Sequence, residues 1–168
     1  MKKVSIVMGT GVALVAAGCS STPVALAPVG PNPARIERMT PTGELQVFSR
    51  LDEESDNQNQ GSTDPVWYQH ADYRLLDANG RLVDRVDNTV GHFEQSPRRV
   101  VLPPGLYLVR APAKDYLQVE VPVTIKRGRL TRVHLDDEWQ LSPTTPKTEL
   151  VCAPNGEPVG WKADLANE

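Results

Sequence analysis

The sequence predicts an all-β protein of the sandwich type, and three observations carry that expectation. Apolar and polar residues alternate from Leu117 to Ile125, with Leu117, Val119, Val121, Val123 and Ile125 on one side and Gln118, Glu120, Pro122 and Thr124 on the other. Successive strand residues face opposite sides, so this stretch reads as a half-buried strand; a helix would scatter the same residues around its axis. Lys126-Arg127-Gly128-Arg129 then turns the chain, and Thr131, Val133 and Leu135 share one face of a returning strand, which reads as a hairpin. Finally, short apolar runs are punctuated by strong turn signals, Asp77-Ala78-Asn79-Gly80 and Leu102-Pro103-Pro104-Gly105 among them.

Met1-Lys2-Lys3 precedes a run from Val4 to Gly18 without a charge, which has the form of a secretory leader. Its end, Ala16-Ala17-Gly18-Cys19, resembles the lipobox of bacterial lipoproteins, although Ala16 stands where an aliphatic residue such as Leu is usual. The resemblance implies that residues 1–18 are removed and that Cys19 becomes a lipidated N-terminus, a membrane partner through acyl chains. Ser20 follows the cysteine in place of an aspartate, which implies the outer membrane, with the body facing the periplasm or exposed at the surface. The 168-residue chain carries 18 Lys and Arg against 21 Asp and Glu, and loss of the leader removes Lys2 and Lys3. An acidic chain offers nucleic acid no electrostatic footing.

Residues 19–42 contain Pro23, Pro28, Pro31, Pro33 and Pro41, a density that denies ladder hydrogen bonds and predicts an extended tether holding the body off a membrane. Ala34 to Met39 could form a short docking helix within it. The body is expected over residues 43–140 and a C-terminal extension over 141–168. The first strand is expected at Glu44–Leu51, with Leu45, Val47 and Ser49 on one face. Residues 52–64 contain no apolar side chain and read as a solvated loop. The calcium-loop pattern fails in detail there, because Gln58 and Gln60 occupy ligand places and Trp67 stands where a bidentate glutamate is needed, so a solvated loop is favoured.

Strands are next expected at Tyr73–Leu76 and Arg81–Val86 around a three-residue loop with Gly80 left-handed, a pairing that sets Arg74 against Asp84 and Leu75 against Val83. A two-residue turn would instead oppose Arg74 and Arg85. Leu106 to Ala111 reads as a strand with Tyr107, Val109 and Ala111 on one face. A last hairpin pairs Glu149–Ala153 with Val159–Lys162, packed through Trp161.

Leu102-Pro103-Pro104-Gly105-Leu106-Tyr107-Leu108-Val109, then Tyr116 and the Val119–Ile125 strand, is similar to prealbumin-like domains of the carboxypeptidase-regulatory and transthyretin types. The match spans about Tyr73 to Leu135 and includes the Asp77–Gly80 turn. It implies an antiparallel Greek-key sandwich of about seven strands, used as a non-catalytic spacer, binding or assembly module.

Motifs for chemistry are sparse. His70, His92 and His134 lack His-x-His or His-x3-His spacing and read as surface residues, so neither a metal nor another cofactor is expected. Asp136-Asp137-Glu138 reads as an exposed acidic strand end. Cys152 has no intramolecular partner once Cys19 is acylated; it is read as a small buried residue, with an intermolecular disulfide as the alternative. Trp67, Tyr68, Trp139 and Trp161 are the candidate binding surface, a platform for cell-wall glycan. The function expected is an envelope lipoprotein acting as a structural or protein-interaction module without catalysis, the alternative being a glycan-binding module using those aromatics.

Overall fold

A computed structural model describes residues 22–33, 40–53, 68–88 and 96–163. The expected leader, Cys19, residues 34–39, most of the expected 52–64 loop, Trp67 and His92 lie outside the described residues. The protein is mostly β, and its sheets are mixed. In chain order the strands are β1 (Val24–Ala25), β2 (Val29–Gly30), β3 (Gly43–Phe48), β4 (Leu51–Glu53), β5 (Tyr68–His70), β6 (Tyr73–Asp77) and β7 (Leu82–Val86). They continue as β8 (Arg99–Leu102), β9 (Gly105–Ala113), β10 (Tyr116–Ile125), β11 (Leu130–His134), β12 (Leu150–Cys152) and β13 (Pro158–Lys162).

The larger sheet has the order β12-β13-β2-β10-β9-β6-β7, with β1 also paired to β10. A three-stranded sheet has the order β11-β3-β8, and β4 and β5 form a separate ribbon. One hydrophobic cluster draws on both larger sheets: Val109, Val119, Val121 and Val123 from one, Leu45, Val47 and Val133 from the other, all fully buried. The alternation of β10 therefore does what the sequence predicts from Val119 to Ile125. Leu117 departs from it and is 78% exposed. A register shift between Tyr116 and Val119 interrupts the β9–β10 ladder there. An irregularity of this kind adds a residue to one strand and re-aims its side chains, so the period of two fails locally.

The chain after β10 does not fold back as a hairpin. Lys126–Arg129 carries it from one sheet to the other, where β11 pairs parallel to β3. The turn is clamped onto the start of β3 by Gly128 N–H to Thr42 O (2.8 Å) and Glu44 N–H to Arg129 O (2.9 Å). The Thr131 hydroxyl donates to Thr124 O at 2.8 Å and ties the two sheets together. Parallel pairing of β3 with β11, and of β1 and β2 with β10, corrects the purely antiparallel expectation.

Between Val24 and Gly30 the proline-rich segment is no free tether. Val24 pairs with Val119, Ala25 with Glu120 and Val29 with Val123, while Gly30 pairs with Trp161 on the other side. Leu26 N–H donates to Glu120 O, and Pro28 O accepts from Ala163 N–H. Pro23 and Pro28 stand outside the paired residues, so their missing N–H groups fall where the ladder does not need them, and Pro31 bridges to Thr131 of the other sheet. Val29 is fully buried. The C-terminal hairpin then extends the same sheet, with Val151 and Val159 buried at its base and Trp161 only half-buried, so the valines are its anchors.

The β6–β7 turn forms as expected. Gly80 has φ +77°, and the Asp77 carboxylate accepts from Asn79 N–H (2.8 Å) and Arg81 N–H (2.9 Å). The Arg81 amide above all holds that carboxyl below the usual range. Past the turn, Leu76 pairs with Leu82, but a shift then sets Leu75 against Asp84 and Arg74 against Arg85. The expected Arg74–Asp84 pairing is therefore displaced by one residue.

Gly43 shows how tight the sheet junction is. A Cβ there would lie 2.3 Å from Lys126 O and 2.7 Å from Ile125 Cγ2. Gly43→Ala is expected to lower unfolding free energy by about 1–3 kcal/mol, as overpacking of a filled interior does, read by urea denaturation. Leu117→Ser, on the exposed side of the irregularity, should change it by less than about 0.5 kcal/mol in the same assay. Val121→Ala should cost about 2 kcal/mol from the removed methyl groups and the space they leave.

Candidate functional site

The described chemistry gathers on the outer side of the three-stranded sheet. Leu45, Val47 and Ser49 fill its inner side, so Phe48 and its register partner His134 face outward together. Their rings stack at 4.3 Å with a 13° interplanar angle. Trp139 stacks on the other face of His134 at 4.5 Å and 11°. His70, carried by the β4–β5 ribbon, meets Phe48 edge-on at 5.6 Å. Alternation placed His134 on the correct side but not in water: Trp139 and the ribbon cover it, and both His134 and His70 are buried.

A polar network holds the ribbon in place. His70 Nδ1 lies 2.7 Å from Ser49 O, so that nitrogen carries the hydrogen and donates to the carbonyl. The Ser49 hydroxyl donates to Ala71 O at 2.5 Å. The Asn88 side-chain amide, almost fully buried, donates to Val47 O (2.9 Å) and Ser49 Oγ (3.0 Å). Sequence reasoning missed Asn88 and Ser49, because their roles depend on strands brought together from distant parts of the chain.

Asp136 completes the group and is also buried, which corrects the expectation for this residue, while Asp137 and Glu138 are exposed as expected. Burial pushes its carboxyl above the usual range. Burial, then Arg132 and His70, push the His134 imidazole down to about 3, so it is neutral at ordinary pH. His134 Nδ1 and Asp136 Oδ1 are 4.0 Å apart, too far for direct proton transfer. A cleft of about 200 Å³ lies alongside, lined by Arg50, Leu51, Lys114, Asp136, Asp137 and Glu138. Its cations are engaged: Lys114 with Asp137, Arg50 with Asp52. Among the described residues no group of three or more His, Cys, Asp or Glu is disposed to hold a metal ion.

Of the candidate aromatics, the structure brings Trp139 and Trp161 together at 6.2 Å, inclined at 72°. One face of Trp139 is occupied by His134, and the planes of the two tryptophans are steeply inclined to each other. Tyr68 lies on β5, in register with Glu53. Cys152 is exposed on the edge strand β12 and unbonded, not buried as expected. No helix among the described residues is long and apolar enough to cross a membrane.

Compared with family models, curated proteins and solved structures, the chain matches none.

The ring stack makes stability depend on pH in a definite direction. The folded-state His134 value near 3 lies below its unfolded value of 6.5, so its contribution is complete above about pH 6.5 and is lost as pH falls toward 3. Asp136, shifted upward, opposes this at the acid end. Thermal melts should show a loss on the order of 1–2 kcal/mol between pH 7 and pH 5. His134→Phe should flatten that slope; an unchanged slope would assign it to other groups.

Proposed function

We propose that the chain is a bacterial envelope lipoprotein whose β body works without catalysis as a protein-interaction module at the outer membrane, facing the periplasm. In this reading residues 1–18 are a leader, Cys19 is acylated, and the two sheets form a Greek-key sandwich of the prealbumin-like kind. The observation that carries it is the Ala16-Ala17-Gly18-Cys19 junction, followed five residues later by a strand built into the body. A leader that ends on small residues and a cysteine suits cleavage and acylation, and several acyl chains on one residue make release from a bilayer negligible.

The body supports the reading in a second way. A single hydrophobic cluster fills the space between the sheets, and the buried histidines are held by rings and backbone carbonyls. These groups pack the body into a scaffold, and scaffolds of this kind present surfaces to partners. The partner proposed is another envelope protein.

Metabolic labelling with palmitate should mark the wild-type protein and leave Cys19→Ala unmarked. The labelled protein should sediment with the outer-membrane fraction after density-gradient separation. Equal labelling of both proteins would refute acylation at Cys19, and recovery with the inner membrane would refute the placement.

A further inference from the structure

We propose that the outward face of the larger sheet docks on an anionic phospholipid surface, through one cationic and one apolar row of side chains. Leu75, Val109 and Val121 are fully buried, so their neighbours along β6, β9 and β10 point away from the core. The registers align these outward residues across four strands. Arg85 pairs with Arg74, Arg74 with Arg110, and Arg110 with Glu120. The next rung pairs Leu82 with Leu76, Leu76 with Leu108, and Leu108 with Pro122; Leu76 is buried, Leu108 and Pro122 are half-buried, and Leu82 is open to solvent. The shift between Leu75 and Leu76 is what lets Leu82 and Arg85, three positions apart, face the same way.

Charge and exposure point to the occupant. Glu120 neutralises Arg110, with a nitrogen–oxygen contact of 2.5 Å. Arg74 and Arg85, both exposed, oppose each other, and no described carboxylate forms an ion pair with either. Like charges facing across a ladder are unfavourable, and an incoming anion relieves them. Leu82 is 51% exposed and Leu106, diagonal to the apolar rung, is 53% exposed. Guanidinium groups at phosphate level beside leucines at acyl level match the boundary of a bilayer.

The chain's entry fits the same orientation. Ala25 pairs with Glu120, so β1 joins the sheet on the cationic rung itself. With Cys19 acylated as proposed above, five residues span from the lipid to Val24, at most about 17 Å when extended. That leash is too short to hold the sheet far from the bilayer. The leash depends on acylation of Cys19 as proposed above; the two rows do not.

The test places an environment-sensitive fluorophore on Leu106→Cys in a Cys152→Ser background of the acylated protein. It is reconstituted into phosphatidylcholine vesicles with and without phosphatidylglycerol. The proposal expects a blue-shifted emission, quenched by nitroxide lipids, that strengthens with phosphatidylglycerol. Arg74→Glu with Arg85→Glu should reduce the shifted population at least tenfold, and the milder Arg74→Gln with Arg85→Gln should reduce it less. Circular dichroism melts check that each variant folds. A water-like emission on both vesicles overturns the proposal, as does a shift that ignores phosphatidylglycerol and survives charge reversal. A shift only on adding a soluble acidic protein also overturns it, in favour of a protein partner. The mass of the Cys19 peptide reports acylation separately. If that mass shows none, the Cys19→Ala protein added to the same vesicles reads docking alone.

Discussion

Burial of one face of β10 is the constraint on which the remaining structure depends. Val119, Val121, Val123 and Ile125 are all essentially without solvent exposure, and each buried side chain of this size contributes about 1.5–3 kcal/mol relative to an exposed one. Because side chains alternate, fixing that face inward also fixes Glu120, Pro122 and Thr124 outward. The backbone must still be satisfied on both edges. β9 supplies one edge, and β1 and β2 supply the other. An unpaired central strand would leave buried N–H and C=O groups without partners, so recruitment of the N-terminal segment follows from the position of β10.

The same arithmetic explains why the two sheets are joined as they are. β10 has both edges filled, so β11 cannot return beside it and crosses to the facing sheet to pair with β3. Gly43 admits the close approach of the connecting turn, where any side chain would meet Lys126 O. Pairing His134 with Phe48 is a by-product of that crossing, and it creates the ring stack that Trp139 then covers. The polar cluster on the outside of the smaller sheet is thus a consequence of how the core is closed.

Reading particular residues against their final places separates local from non-local causes. The Asp77–Gly80 turn was legible because its geometry is set within four residues: a carboxylate reaching two amides, and a glycine free to take positive φ. The inward faces of Leu45, Val47, Thr131 and Val133 were legible for the same local reason, strict alternation. Leu117 broke the rule through a ladder irregularity, and Leu82 came to share a face with Arg85 through another. Neither irregularity has a signature in its own strand; each arises from the match with a neighbour. The burial of His70, His134 and Asp136 was illegible because the covering groups come from the β4–β5 ribbon and from Trp139.

By itself, the sequence determined the β class, the inward wall of β10 and the principal turns. Alternation and turn chemistry act over a few residues, so they survive without knowledge of the fold. Only the tertiary structure decided that the proline-rich segment is part of the sheet and that β11 runs parallel to β3. It also decided that Arg74, Arg85 and Arg110 line up on one rung. Those outcomes depend on which strand edges remain unpaired once β10 is buried, and edge satisfaction is a property of the assembled sheet.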